Sequence, residues 1–256
     1  MNAFDLSGRR ALVVGIANQH SIAYGCARAL HRQGAELAVT YLNDKARPHV
    51  EPLARELGAS LLLPLDVQRD GQLEAVFDAV RSTWNRVDIL IHAIAFAPKE
   101  DLQGSLFECS AAGFAQAMDV SVHSLLRMTR LALPLMTDGG TILTFTYQGS
   151  TRVMDGYQVM GPVKAALESA VRYLADELGP RRIRVHAISP GPIATRAASG
   201  LKDFQQQVES AQQRSSLGTA VDIEDVGAAA AFLCSPAARN VTGSTLFIDG
   251  GLNFQG

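Results

Sequence analysis

Ala11-Leu-Val-Val-Gly15 runs into Ile16-Ala-Asn-Gln-His20 and then into Ser21-Ile-Ala-Tyr-Gly25. The apolar run Arg10–Gly15, stopped by glycine, reads as a buried strand. Ser21 to Leu30, closed at Gly34, reads as a helix. Strand, loop and helix in that order put the first helical N–H groups and the positive dipole end at the strand's carboxyl end, where a parallel sheet holds a dinucleotide pyrophosphate. Ser21 adds a hydroxyl there. The spacing is not GxGxxG, since only Gly15 and Gly25 bracket the loop, so taken alone the stretch reads equally well as an ordinary turn.

Outward from this unit the same alternation continues. Six further β-rich runs follow, at Glu36–Tyr41, Ser60–Asp66, Val87–Ala93, Thr141–Thr146, Arg184–Ser189 and Thr245–Asp249. Several are apolar throughout, as strands covered on both faces are. Helical patterns such as Gln72 to Arg81 separate them. The expected fold is therefore α/β and doubly wound, Rossmann-like, with a seven-stranded parallel sheet and helices on both faces. One domain over 1–256 is expected, since no repeat or low-complexity linker interrupts the order. The segment from about 190 to 218 breaks the pattern, with a Pro-Gly-Pro start and a short amphipathic stretch. It reads as a substrate-binding lid or as a plain surface excursion.

Composition excludes several classes of function. The 256 residues are 47% hydrophobic, enough for a large core, and 23 basic against 25 acidic residues leave a net charge of -2 without charged blocks. No footprint for nucleic acid or an anionic membrane results, and a small-molecule partner is expected. Cys26, Cys109 and Cys234 are odd in number and far apart, which speaks against disulfides and zinc and for a reducing cytoplasm. The six histidines show no ligand-like spacing, so no metal is expected. Met1 to Gly8 lacks a signal-peptide pattern, and no run is long enough to span a membrane.

Other strand ends supply more of a cofactor site. Asp66-Val67 closes the third strand, where a carboxylate can accept from an adenine amino group or cap the next helix. Ala93-Ile-Ala-Phe-Ala97 closes the fourth, and its small residues allow a ribose or nicotinamide to approach, although packing alone also explains them. The second strand ends Thr40-Tyr-Leu-Asn-Asp44, with neither an acid at its tip nor an arginine immediately after. That favours NADH, while Lys45 and Arg47 just downstream keep NADPH open.

The richest chemistry lies in Thr146-Tyr147-Gln148-Gly149 and Tyr157-Gln-Val-Met160-Gly-Pro-Val-Lys164. Seven residues is close to two helical turns, so Tyr157 and Lys164 could project from one helix face, with the ammonium strengthening the phenol as a donor; Pro162 between them costs a backbone hydrogen bond and a kink inside a helix, and less if the helix starts late. The competing reading is amphipathic packing with a snorkelling lysine.

These residues resemble the enoyl-acyl carrier protein reductases, a divergent branch of the short-chain dehydrogenase/reductases, nearly end to end. The resemblance takes in the Gly15 loop with Ser21-Ile-Ala-Tyr-Gly25, Thr40-Tyr41 with Asn43-Asp-Lys45, Asp66-Val67, Phe96-Ala-Pro98 and Tyr147. It continues through Arg184-Val-His-Ala-Ile188, Gly191-Pro-Ile193 with Thr195, Ala197-Ala-Ser-Gly200, Ile223-Glu-Asp-Val-Gly227 and Asp249-Gly-Gly251. The discriminating motif is Tyr157-x6-Lys164. Ordinary short-chain dehydrogenases resemble one another in Tyr-x3-Lys and in an Asn-Ala-Gly after the fourth strand, and this chain has Gly161 and His92-Ala-Ile94 at those places.

The resemblance implies NADH-dependent reduction of the trans-2 double bond of an enoyl thioester on acyl carrier protein, as in fatty-acid biosynthesis. It makes Tyr157 the donor to the enolate oxygen, Lys164 the holder of the nicotinamide ribose, and Tyr147 an aid at the thioester. It gives the cofactor Gly15, Ser21, Ile22, Asp66, Val67, Ile94, Lys164, Ile193 and Thr195. It gives the substrate Ala97, Tyr147, Tyr157, Met160, Leu201 and Phe204. It also implies a homotetramer, to which the alanine-rich stretch from Ala165 to Leu178 could contribute an interface, unless that stretch is an internal crossover helix. Leu42, Gln148, Pro162, Pro190 and Arg196 depart from the family's pattern. Two rival functions are a ketone or alcohol reductase on the same fold and a catalytically idle nucleotide-binding protein.

Overall fold

The computed structural model describes residues 3–195 and 204–255. Seven strands, β1 (Arg10–Val14), β2 (Glu36–Tyr41), β3 (Leu61–Pro64), β4 (Ile89–His92), β5 (Gly140–Phe145), β6 (Ile183–Pro190) and β7 (Thr245–Ile248), form one sheet in the order β3-β2-β1-β4-β5-β6-β7. Every pairing is parallel. All seven expected strands are present, shortened at the carboxyl ends of β1, β3, β4, β5 and β7.

The sheet separates two apolar layers, and the period-two alternation of the strands fills both. Leu12, Val14, Leu90, Ile142, Val185 and Ala187 pack on one face, against α3 (Gln72–Trp84), α5 (Ala111–Met118), α6 (Ser124–Ala132) and α7 (Met160–Leu178). Ala11, Val13, Ile89, Ile91, Leu143 and Ile188 pack on the other, against α1 (Ile22–Arg32), α2 (Arg47–Glu56) and α9 (Ile223–Cys234). Burial on both faces is why these strands read as continuous apolar runs. On α7, Val163, Leu167, Val171, Leu174 and Leu178 are buried at helical spacing, so one face of this helix is crossover packing.

Helices α1 and α9 meet backbone to backbone. A Cβ on Gly25 would lie 2.1 Å from the Ile223 carbonyl oxygen, and one on Gly227 would lie 2.4 Å from that of Gly25. Gly25→Ala is therefore expected to destabilise the fold by about 1–3 kcal/mol, the cost of forcing a methyl into a packed contact. A melting temperature equal to the parent's would show that the pair separates freely.

The chain order reverses between β1 and β4, and the crevice at a parallel sheet's carboxyl edge opens at such a switch point. Here Ala93 N–H donates to Val14 carbonyl at 2.9 Å, holding the two strand exits together. Between α5 and α6 the helix carries a π turn, Asp119–His123, of the kind that marks functional positions. No helix among the described residues is long and apolar enough to cross a membrane.

Candidate active site

A cavity of about 740 Å³ opens at the carboxyl ends of β1, β4, β5 and β6. Its first wall is Gly15 and Ala17 after β1, with Ser21, Ile22 and Ala23 at the start of α1. Gly15 has φ +113°, and a Cβ there would lie 2.1 Å from the Ala93 carbonyl oxygen, so glycine alone fits. Ser21 Oγ accepts from the N–H groups of Ala17 and Asn18, both at 3.0 Å, and so shapes the loop rather than capping the helix. The first turn of α1 holds no acid. Its leading N–H groups lack intrahelical partners by helix geometry, which leaves a cradle suited to an anion.

The second wall is the loop after β4, where Ile94, Phe96 and Ala97 face the cavity. Ser121 of the π turn fixes this loop. It accepts from Phe96 N–H at 3.1 Å and donates to Phe96 carbonyl at 3.3 Å. Short helix α4 (Lys99–Gln103) adds Lys99, Leu102 and Gln103 to the lining, none of them foreseen in the sequence. Pro98 before and Gly104 after were a helix start and stop signal that pointed to this element. Asp101 latches it to α5, accepting from Ser110 N–H at 2.7 Å and Ser110 Oγ at 3.2 Å.

On the third wall Tyr147, Tyr157, Met160 and Lys164 all line the cavity. The two tyrosine rings lie 5.0 Å apart, tilted by 59°. Tyr147 Oη is buried without a well-formed hydrogen bond. Burial raises its pKa, offset in part by the neighbouring Gln148 side chain. Tyr157 is raised further, by burial first and then by Tyr147 and Glu168, so its phenol stays protonated. Its ring packs against Gly149, where a Cβ would lie 2.5 Å from Cδ1.

One expectation is corrected here. Tyr157 and Lys164 do not share a helix face, because α7 begins at Met160 and Tyr157 sits in the preceding turn, next to Gln158 with φ +33°. Nor does the ammonium reach the phenol. Lys164, 6% exposed, donates from Nζ to Phe145 carbonyl at 2.7 Å. Burial pulls its pKa down to about 8, against a raising influence from Glu168. The late helix start also resolves Pro162, which lies in the first turn, where no intrahelical hydrogen bond is lost.

The fourth wall begins with Pro190, the last residue of β6, and continues through Ile193 and Thr195. Two of the expected cofactor residues, Asp66 and Val67, stand off this cavity just past β3. Asp66 Oδ1 accepts from Gln68 N–H at 3.0 Å and Val67 joins the core. Of the expected lid residues, Leu201 lies outside the described residues, as does Arg196. Phe204 begins α8 (Phe204–Arg214), with its side chain likewise undescribed.

Comparison with known proteins agrees with this geometry. A family model described as Enoyl-(Acyl carrier protein) reductase matches residues 15–253. The chain belongs to the enoyl-acyl carrier protein reductase family. Among curated relatives, the enoyl-[acyl-carrier-protein] reductase [NADH] of Nostoc sp. is 46% identical, over 98% of this chain and 99% of its own. The crystal structure of the Aquifex aeolicus enoyl-[acyl-carrier-protein] reductase (NADH) superposes with a TM-score of 0.95 at 42% identity, covering 98% of both chains. That of the Anaplasma phagocytophilum reductase in complex with NAD gives 0.94 at 40%, covering 98% of this chain and 96% of that one.

Within this reductase family the chain's own substitutions acquire places. Gln148 is buried and does not line the cavity. Leu42 is 53% exposed at the tip of β2. Arg47, five residues on, is stacked over the Tyr41 ring at 5.8 Å and paired with Glu51 at 3.2 Å. Its guanidinium is thus already engaged. Pro190 ends β6 and opens the fourth wall.

Proposed function

We propose that this protein reduces the trans-2 double bond of enoyl thioesters carried on acyl carrier protein, using NADH, in fatty-acid biosynthesis. The observation that carries the reading is the meeting of two half-buried tyrosines and a buried lysine with an anion cradle in the lining of one cavity. NADH, when bound, supplies hydride to the β-carbon. Gly15, Ser21 and Ile22 would seat the pyrophosphate at the α1 N-terminus, with Ile193 and Thr195 closing over it. Ile94 and Lys164 would hold the nicotinamide riboside, and Asp66 and Val67 the adenine.

Tyr157 would donate its phenolic hydrogen bond to the enolate oxygen, and its raised pKa keeps that proton in place. Tyr147, with its hydroxyl unsatisfied, would assist at the thioester carbonyl. Ala97 and Met160, with Leu201 and Phe204 of a lid over about 190–218, would line the acyl pocket. The prior engagement of Arg47 supports NADH over NADPH. With NADH deuterated at both C4 positions, the product acyl thioester is expected to carry one deuterium on its β-carbon by mass spectrometry. Label appearing only in a 3-hydroxyacyl product from a 3-ketoacyl thioester would make the protein a ketone reductase instead.

The same reading makes the chain one domain, working in the cytoplasm as a homotetramer. The α7 face opposite the core, where Tyr173 is 72% exposed, supports a contact between copies. Light scattering at working concentration is expected to give the tetramer mass, and a monomer mass would sink this assembly.

A further inference from the structure

The end of β5 holds two side chains of opposite charge from the same helix. Phe145 carbonyl accepts from Lys164 Nζ at 2.7 Å, and the next residue, Thr146, donates from Oγ1 to Glu168 Oε1 at 2.6 Å. Lys164 and Glu168 are four apart on α7, the spacing that places side chains together on one face. We propose that Glu168, anchored by Thr146, is a positioning residue: its carboxylate is the counter-charge that keeps the buried Lys164 ammonium protonated and so keeps its grip on the cofactor ribose. The inference rests on the function proposed above and extends it to a residue outside the cavity lining.

The surroundings of Lys164 leave this task to Glu168. On the β4 side stands His92, whose ring bonds to Thr144 Oγ1 at 2.9 Å and to Ser124 Oγ at 2.7 Å. Burial, then Lys164 itself, holds His92 down to about 3, so it is neutral. From the loops come Tyr147 and Tyr157, both raised and neutral. Among the described residues the other charged side chain of the cavity wall is Lys99, also a cation. Against this background burial draws Lys164 down to about 8, and Glu168 is the influence that raises it. Without the carboxylate the ammonium would lose its proton within the working range.

The test separates charge from shape. Glu168→Gln keeps the length and an oxygen for Thr146 but loses the charge, whereas Glu168→Asp keeps the charge and loses the reach. The titration of Lys164 is read in the cofactor-free protein by carbon-13 NMR of the lysine Cε, assigned with Lys164→Met. NADH binding is read in parallel by nicotinamide fluorescence. In the Gln variant both midpoints should fall by about one unit or more, with NADH affinity near pH 8 reduced ~10-fold and restored at about pH 6. The Asp variant should stay nearer the parent. If the Gln variant does not fold, Thr146→Val, which frees Glu168 from its anchor, should move both midpoints the same way by less. An unshifted Lys164 midpoint, or an affinity loss equal at every pH and equal in the two Glu168 variants, would overturn the proposal. Because the NMR readout needs no turnover, its result stands apart from whether the enoyl reaction is found.

Discussion

Tyr157→Phe is expected to lower kcat on an enoyl thioester by about 100-fold or more, leaving NADH affinity and melting temperature close to the parent's. The size follows from removing one pre-placed donor to a developing oxyanion in a water-poor site, worth about 3 kcal/mol. The tyrosine ring is held by Gly149 beneath it and by Tyr147 5.0 Å away, contacts that phenylalanine retains. The loss should therefore fall on kcat and not on binding. A variant that turns over at half the parent's rate would remove Tyr157 from the chemistry.

Lys164→Met should be nearly as damaging, through the cofactor. Lys164 uses one of its three donors on Phe145 carbonyl and stands in the cavity wall, so methionine fills the space but holds no ribose hydroxyl. NADH affinity should fall ~10-fold or more, and kcat/KM further. Stability should respond in the opposite direction. The lysine's pKa is held at about 8 in the fold against 10.5 ordinarily, so between those values the unfolded chain binds more protons. The parent should therefore gain stability as pH rises through that window, the penalty of the buried charge being full below it. In the methionine variant that gain should vanish, and calorimetry across the window checks it. Parent activity should fall as pH rises above about 8, when the ammonium is lost.

Most of the architecture was legible because its signals are local. β1, β4, β5 and β6 are buried on both faces, and such strands announce themselves as apolar runs between helical patterns. The loop from Gly15 to Ser21 was legible too, as a strand running into a helix start. The Tyr157-x6-Lys164 spacing suggests one helix face, while Pro162 between them leaves the helix start open. A proline tolerated only in the first turn would have put the helix start later, at Met160. Glu168 was passed over because its partner Thr146 is 22 residues away, across a turn whose path no periodicity reveals. Lys99, Leu102 and Gln103 were missed because a five-residue helix is too short to show a repeat. Asp66 shows as an acid at a strand end, and its Oδ1 also closes the following turn, a contact that the strand end alone does not reveal.

The most direct measurement is NADH oxidation, followed by nicotinamide absorbance, with a trans-2-enoyl thioester and a 3-ketoacyl thioester offered in parallel to the parent and to Tyr157→Phe. Rapid oxidation with the enoyl substrate alone, collapsing in the variant, is the predicted result. Oxidation with the ketoacyl thioester alone, or NADH binding without turnover of either, would contradict the assignment of this cavity as an enoyl reductase site.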